Sequence, residues 1–114
     1  MNEIILSVTG DNLIINSTGG NGDTVTIDAS NDFGGQKKYH SPTELFCSSI
    51  GSCILIMMQT KALENNFNLK NSIVRISYKY IIKNDKTKIK EINLNFIFVE
   101  KISEDKMKLL KNEI

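Results

Sequence analysis

The two cysteines of this 114-residue sequence, Cys47 and Cys53, are its side chains best suited to chemistry. A cysteine thiolate is a nucleophile, a redox centre and a ligand for soft metal ions. With the single histidine, His40, the cysteines fall short of the four ligands of a structural zinc site, so we expect no metal and no cofactor.

Six residues separate Cys47 from Cys53. If both lie on one helix, their Cα atoms differ by about 9 Å in rise alone, which exceeds the roughly 7 Å that a disulfide tolerates. An intrachain disulfide would therefore require the helix to unwind.

Three short strands and one long helix must position these cysteines. Runs rich in Ile, Leu, Val and Thr at 3–9, 13–16 and 24–28 predict an antiparallel meander, because Gly, Asn and Asp separate them. The segment Ser41-Pro42-Thr43-Glu44 combines a capping box with proline at the first helical position. It predicts a helix from Pro42 to about Glu64, where an Asn-rich stretch ends it.

This helix is predicted to be apolar round most of its circumference. At 100° per residue, Cys53 and Cys47 fall on two apolar stripes about 100° apart. The first stripe holds Phe46, Ile50, Cys53 and Met57, and the second holds Cys47, Ile54 and Met58. So apolar a helix belongs in a core or a subunit interface, and we expect it to be the central helix.

Alternation of apolar and polar residues predicts a hairpin of strands 73–82 and 92–98 joined by a turn at 83–88. A last helix is predicted to start at Ser103, an N-cap residue. Its apolar positions are Met107, Leu110 and Ile114. The resulting order is βββαββα, an α+β fold in a single domain over residues 1–114.

Three segments of the sequence resemble the signature of the OsmC/Ohr family, the osmotically inducible and organic hydroperoxide resistance proteins. They are Gly34-Gly35, Ser41-Pro42-Thr43-Glu44-Leu45-Phe46 and Ile50-Gly51-Ser52-Cys53. An acid placed second after the proline is most similar to the YhfA-like branch. The resemblance implies an OsmC-like fold, in which antiparallel sheets wrap around a buried central helix in an intertwined homodimer. It also implies peroxiredoxin-like reduction of hydroperoxides in defence against oxidative stress.

On this resemblance, Cys53 matches the peroxidatic cysteine and Glu44 the acid at the helix start. Cys53 would attack the peroxide as a thiolate and become a sulfenic acid, which either Cys47 of a partner subunit or an external thiol reductant would reduce. Glu44 is a capping residue on local grounds, and both roles can coexist.

The sequence departs from the hydroperoxide reductases in three places. Thr43 holds the position where those enzymes carry an acid, residues 1–36 contain no arginine or lysine, and no cysteine follows Cys53 to act as the resolving thiol. We expect a cation from the loop before the helix, at Lys37, Lys38 or His40, to replace the family's arginine.

Two other functions fit parts of the sequence. An OsmC-like protein without peroxidase activity would bind a small lipophilic ligand in an apolar cavity beside the helix. The stretch 70–90, with seven basic residues against Asp85 alone, could bind nucleic acid. Strand alternation places Tyr78 and Tyr80 on the apolar face, where they would pack in the core rather than stack on bases. We therefore favour a solvated basic strand face.

Charge and hydropathy disfavour several further classes of protein. Residues 1–36 hold five acids and no base, whereas residues 37–114 hold 14 basic and eight acidic residues, with Arg75 the only arginine. Scarce arginine disfavours phosphate recognition. The first dozen residues resemble neither a signal nor a transit peptide. The longest apolar run, 54–58, is far shorter than the ~20 residues of a membrane span. We expect a cytoplasmic protein that does not cross a membrane.

Overall fold

The computed structural model describes residues 2–112 and residue 114, and it confirms an α+β fold with the order βββαββα. The strands are β1 Ile5–Val8, β2 Ile15–Thr18, β3 Thr24–Ile27, β4 Ile73–Lys83 and β5 Lys86–Ile97, and the α-helices are α1 Pro42–Glu64 and α2 Glu104–Lys111. The chain forms two compact units, one ending at Phe46 and the other beginning at Cys47. Helix α1 therefore starts in the first unit and continues through the second. The single domain over 1–114 stays a prediction.

The first unit contains the predicted meander, with β2 between β1 and β3. Strand β2 begins two residues later than predicted because the preceding turn is longer. The backbone N–H of Thr9 donates to the carbonyl of Ile14 at 3.2 Å. The backbone N–H of Ile14 in turn donates to the side-chain oxygen of Asn12 at 3.2 Å, an Asx turn. The turn thus uses the residues that the apolar pattern assigned to the strand.

The buried carboxylate of Asp28 organises the loop between β3 and α1. This side chain is only 2% exposed. Its Oδ2 atom accepts hydrogen bonds from the backbone N–H groups of Gln36 at 3.2 Å and Lys38 at 3.3 Å. The backbone N–H of Asp28 donates to the carbonyl of His40 at 3.1 Å. These bonds offset the cost of burying a carboxylate and fix the segment that leads into α1.

Gly35 in the same loop is expected to tolerate no side chain. A Cβ atom there would overlap the backbone carbonyl of Ala29. Gly35→Ala should lower the free energy of unfolding by about 3 kcal/mol in urea denaturation, because backbone must move. Gly10→Ala is the matched control, since a Cβ at that position meets nothing within 4 Å. It should change the free energy of unfolding by less than about 1 kcal/mol, and equal stability of the two variants would contradict this account.

The second unit contains the predicted hairpin, with a shorter turn. Asn84 and Asp85 have φ values of 53° and 60°, and positive φ at both central residues is characteristic of a two-residue type I′ turn. The predicted turn at 83–88 is therefore wrong, because residues 86–88 belong to β5. The pairing shifts register between Lys79 and Tyr80, which makes a bulge near the middle of the hairpin.

The core of the second unit joins α1, the hairpin and α2. Its buried members are Met58, Ala62, Leu69 and Leu110, and the partly buried side chains packed on them are Ile54, Phe67, Phe96, Phe98 and Ile102. The Ser103 hydroxyl accepts a hydrogen bond from the backbone N–H of Lys106 at 3.3 Å, which confirms the predicted cap of α2. Ile114 lies beyond the end of α2 and is 66% exposed, so its assignment to the apolar helix face is wrong.

Helix α1 has the predicted bounds, Pro42–Glu64. By length and composition it could also cross a membrane, since an 18-residue window has a mean hydropathy of 1.3, with 22% of it buried. The longest uninterrupted apolar run is too short to span a membrane, but α1 as a whole is long and apolar enough to do so. Central helices of soluble proteins have the same length and composition, so this property alone is weak evidence for a membrane span.

Candidate active site

A reciprocal pair of hydrogen bonds fixes the start of α1. The side-chain oxygen of Ser41 accepts from the backbone N–H of Glu44 at 3.2 Å, and the Glu44 carboxylate accepts from the backbone N–H of Ser41 at 3.1 Å. This is the capping box that the sequence predicts. The Glu44 carboxylate is thus engaged in holding the helix terminus.

Two substitutions separate the hydrogen bond of Glu44 from its charge. Glu44→Gln preserves an acceptor for the Ser41 N–H and removes the charge, so it should leave the thermal midpoint nearly unchanged. Glu44→Ala removes the acceptor and should lower the free energy of unfolding by about 1 kcal/mol. If Glu44→Gln instead destabilised the protein as much as Glu44→Ala, the charge and not the hydrogen bond would be what matters at this position.

The two cysteines differ in exposure. Cys47 is 2% exposed, whereas Cys53 is an exposed free thiol. Six residues rotate a helix by about 120° away from its starting direction, so the two side chains leave α1 on different sides. Burial raises the pKa of the Cys47 thiol through desolvation. Cys47 is a packing residue, and Cys53 is the thiol that a reactant can reach.

Cys53 lies on a surface that we call the Cys53 face, the exposed side chains of α1 from Phe46 to Leu63. They are Phe46, Ser48, Ser49, Ser52, Cys53, Ile56, Met57, Thr60 and Leu63, and none of these described residues carries a charge. The large apolar members are Ile56 at 66% exposure, Leu63 at 55%, Phe46 at 53% and Met57 at 40%. The second predicted stripe, which holds Cys47 and Met58, is the one that packs into the chain's own core.

The thiol of Cys53 contacts the thioether of Met57. The Cys53 S–H donates to the Met57 Sδ, with 3.8 Å between the two sulfur atoms. Their separation of four residues places them one helical turn apart on the same side of α1. The sequence predicts Met57 on the same stripe as Cys53 without indicating a role for it. The signal for the contact is the i, i+4 spacing of the two sulfur side chains.

The structure confirms that the two cysteines remain unpaired, as their helical spacing predicts. It does not bring Glu44 to Cys53, since nine residues along one helix correspond to about 13 Å of rise and half a turn of rotation. The supply of a cation to Cys53 by the loop residues Lys37, Lys38 or His40 stays a prediction.

An apolar groove adjoins the Cys53 face. It has a volume of about 370 Å³, and its walls are Leu55, Ile56, Gln59, Thr60, Leu63, Leu69 and Ser72. In this wall the Gln59 Oε1 atom accepts a hydrogen bond from the backbone N–H of Leu69 at 2.9 Å. The volume of the groove suits a small ligand, and its aliphatic side chains favour an apolar one.

The hairpin places its tyrosines differently from the prediction. Tyr78 is half-buried, but Tyr80 is 40% exposed, and their ring centroids lie 5.9 Å apart. Residues 79–83 of β4 are all exposed, so core packing along β4 ends near the bulge. Lys79 pairs with Glu91 across the strands at 3.6 Å, in a solvated ion pair. Nucleic-acid binding by residues 70–90, the alternative that the sequence disfavours, stays untested.

Comparison with known proteins gives a family model and several solved structures. The model for OsmC-like proteins matches residues 34–114. A Psychrobacter arcticus structure, whose name refers to an osmotic stress and detoxification response, has a TM-score of 0.88 at 19% identity and covers 99% of this chain and 81% of that chain. No curated protein matches the sequence.

Two further structures share this architecture. An OsmC-like protein of unknown function from Vibrio cholerae has a TM-score of 0.75 at 11% identity, covering 99% of this chain and 86% of that one. An organic hydroperoxide resistance protein from Legionella pneumophila has a TM-score of 0.67 at 13% identity, covering 97% and 81%. At these identities the structures show a common fold.

Proposed function

Because the chain belongs to the OsmC-like family, we propose that it reduces organic hydroperoxides in a thiol-dependent reaction at Cys53. The observation that carries this proposal is an exposed thiol on an uncharged, largely apolar helix face. The family includes hydroperoxide resistance proteins, one of which shares the fold. The role of Cys47 in this proposal is packing.

The reaction begins with the Cys53 thiolate as nucleophile. Its sulfur attacks the outer peroxide oxygen, the O–O bond breaks, and the alkoxide takes a proton and leaves as an alcohol. Cys53 becomes a sulfenic acid. One external thiol then displaces water to form a mixed disulfide, and a second external thiol releases Cys53 with formation of a low-molecular-weight disulfide.

The apolar surroundings of Cys53 favour an organic hydroperoxide over hydrogen peroxide. Phe46, Ile56 and Met57 present hydrocarbon and thioether surface on the same helix face. The alkyl part of a substrate gains free energy by leaving water there, at roughly 0.8 kcal/mol for each buried CH₂ group. Hydrogen peroxide has no such group, so the surface gives it no binding advantage.

The protein is proposed to be a cytoplasmic homodimer in which a second copy covers much of the apolar surface. Besides the Cys53 face, the first unit exposes Ile4, Ile5, Leu6 and Val8 by 59–67%. Exposed apolar surface of this kind in each unit is typical of an interface between chains. Pairing of α1 with its copy in a second chain would also explain why the mean hydropathy of this helix is as high as that of a membrane span.

Turnover with an external dithiol tests the enzymatic proposal. Wild-type protein should consume cumene hydroperoxide faster than hydrogen peroxide, and Cys53→Ser should lower kcat/KM for the organic substrate at least about 1,000-fold, because the nucleophile is lost. Cys47→Ser is the matched control and should retain turnover. Equal activity of wild-type protein and Cys53→Ser would contradict the proposal.

A second candidate function is the binding of a small lipophilic ligand without peroxide chemistry. The apolar groove beside the Cys53 face favours it, as does the absence of Arg and Lys from residues 1–36 of the sequence. Leu55→Gln in the groove wall should then weaken the binding of an uncharged fluorescent lipid analogue, and Cys53→Ser should leave it unchanged. Binding that is insensitive to Leu55→Gln would argue against the groove as the site.

A further inference from the structure

Another cavity of the second unit lies between the loop 66–72, which joins α1 to β4, and the segment 99–106, which leads from β5 into α2. We call it the loop cavity, and its volume is about 530 Å³. We propose that it binds a small organic carboxylate, with Lys70 and Lys106 holding the charge and apolar side chains holding the carbon chain. None of the described side chains that define the Cys53 face lines this cavity. The proposal is therefore independent of hydroperoxide reduction and of the homodimer.

Helix α1 holds one wall of the loop cavity in place. The Oε1 atom of Gln59 accepts from the backbone N–H of Leu69 at 2.9 Å, and its Nε2 atom donates to the side-chain oxygen of Asn68 at 2.8 Å. Asn66 and Asn71, at the two ends of this wall, have φ values of 64° and 67°, in the left-handed region that asparagine adopts more readily than most residues. The wall is thus formed before a ligand arrives, so binding does not have to order it.

The polar groups that this wall can still offer are mostly hydrogen-bond donors. The side-chain oxygen of Asn68 accepts two hydrogen bonds, one from Gln59 and one from the backbone N–H of Lys70 at 2.8 Å, which leaves its amide N–H groups for a ligand. The Ser72 hydroxyl accepts from the backbone N–H of Val99 at 3.3 Å, and its own O–H can donate. The ammonium group of a lysine donates only. A ligand rich in acceptors therefore fits this wall.

The charges in the loop cavity favour a monoanion. Lys70 and Lys106 contribute two positive charges and Glu100 one negative charge, which leaves one positive charge. Among the described residues, the ion pairs are Lys61–Glu64 and Lys79–Glu91, so neither lysine of the cavity is neutralised by a carboxylate there. One carboxylate would balance the remaining charge, whereas a phosphate dianion would exceed it and would also meet Glu100.

Lys106 is held in position by an aromatic ring. Its Nζ atom lies 4.8 Å from the centroid of the Phe67 ring, within the range of a cation–π interaction. Phe67 itself packs against the core of the second unit, so the ammonium group has a fixed support. Restricting this side chain in advance lowers the entropy that a bound anion would cost.

Apolar side chains beside these donors can receive the carbon chain of the ligand. Leu69 is 7% exposed and Ile102 is half-buried, and both line the loop cavity. The adjoining apolar groove shares Leu69 and Ser72 with the loop cavity, but the residues that line the groove carry no charge. The groove thus suits an uncharged ligand, whereas the loop cavity suits one that joins a carboxylate to a hydrocarbon chain.

Titration of ¹⁵N-labelled full-length protein with hexanoate, followed by NMR, tests the site. Saturable shifts are expected for the amide signals of residues 66–72 and 99–106. Hexan-1-ol and hexylamine have the same carbon chain without the negative charge, and each should bind at least about tenfold more weakly, because hydrogen bonds to a charged acceptor are lost. Equal affinity for either compound, or shifts confined to residues outside the loop cavity, would overturn the proposal.

Charge variants give a second readout. Lys106→Met and Lys70→Met keep the length of an exposed side chain and should each weaken hexanoate binding at least about fivefold. Glu100→Gln removes the like charge and should strengthen it at least about twofold. Lys108→Met is the matched control, since Lys108 is an exposed lysine of the same helix that does not line the cavity.

Lys108→Met and the groove variant Leu55→Gln should both bind hexanoate as the wild type does. Wild-type affinity in Lys106→Met and Lys70→Met would overturn the site, and so would an equal loss in Lys106→Met and Lys108→Met, which would reduce the effect to net charge. Peroxide turnover is measured without hexanoate, so failure of the proposed enzymatic function is distinguishable from failure of this site.

Discussion

In the native protein, iodoacetamide is expected to alkylate Cys53 at least about 100-fold faster than Cys47. Cys53 is exposed, whereas Cys47 is 2% exposed and packs in the same stripe as Met58. The Cys47 thiol must first leave the core, and burial raises its pKa, which lowers the fraction of reactive thiolate further. Quenched time points and peptide mass spectrometry report both rates from one sample.

Denaturant provides the control, since both cysteines should react at similar rates in the unfolded chain. Comparable labelling of the two cysteines in native protein would contradict the structure.

The raised pKa of Cys47 also makes the free energy of unfolding depend on pH. The folded state holds this proton more tightly than the unfolded state, so the associated stability is complete below the ordinary pKa of 9.0 and is lost as pH rises further. Cys47→Ala should remove that decline.

Ile56→Glu is expected to convert the proposed homodimer to a monomer. Ile56 is the most exposed large side chain of the Cys53 face, at 66%, so the charge should not destabilise the isolated chain. In a helix-to-helix interface, however, the carboxylate would lose its water without a partner, at a cost of several kcal/mol. Light scattering at micromolar concentration should give about twice 12.8 kDa for the wild type and about 12.8 kDa for the variant.

Ile56→Leu is the matched control for the dimer, because it preserves an apolar side chain of equal volume. It should retain the wild-type mass. A wild-type mass near 12.8 kDa at micromolar concentration would contradict the homodimer. Recovery of the wild type only from membranes with detergent would instead assign the apolar helix to lipid.

The sequence predicts α1 well because both of its ends carry specific local signals. The capping box at Ser41 and Glu44 forms as expected, and the helix ends at Glu64. The orientation of the helix could not be predicted in the same way. Cys53 and Cys47 both lie on apolar stripes, and hydrophobicity alone does not decide which of two such stripes faces the chain's own core. Contacts distant in sequence decide it: Gly51 lies against Ile76 and Leu94 and turns the Cys47 stripe inward.

The errors in the sheets have local causes. The Asx turn at Asn12 uses residues whose apolar character resembled a strand. The predicted hairpin turn is too long because Lys86, Thr87 and Lys88 are polar and resemble loop residues. They pair regularly in β5 once Asn84 and Asp85 adopt positive φ. Side-chain alternation places Tyr80 on the apolar face and could not show that the alternating burial of β4 stops after Tyr78.

Trapping of a sulfenic acid tests the central proposal most directly. Reduced protein is mixed with one equivalent of cumene hydroperoxide in the presence of dimedone, and the adducts are assigned by peptide mass spectrometry. The proposed chemistry predicts one adduct per chain, located on Cys53 in the wild type and in Cys47→Ser, and lost in Cys53→Ser. Complete survival of the free Cys53 thiol after stoichiometric hydroperoxide would contradict a peroxidatic role for this residue.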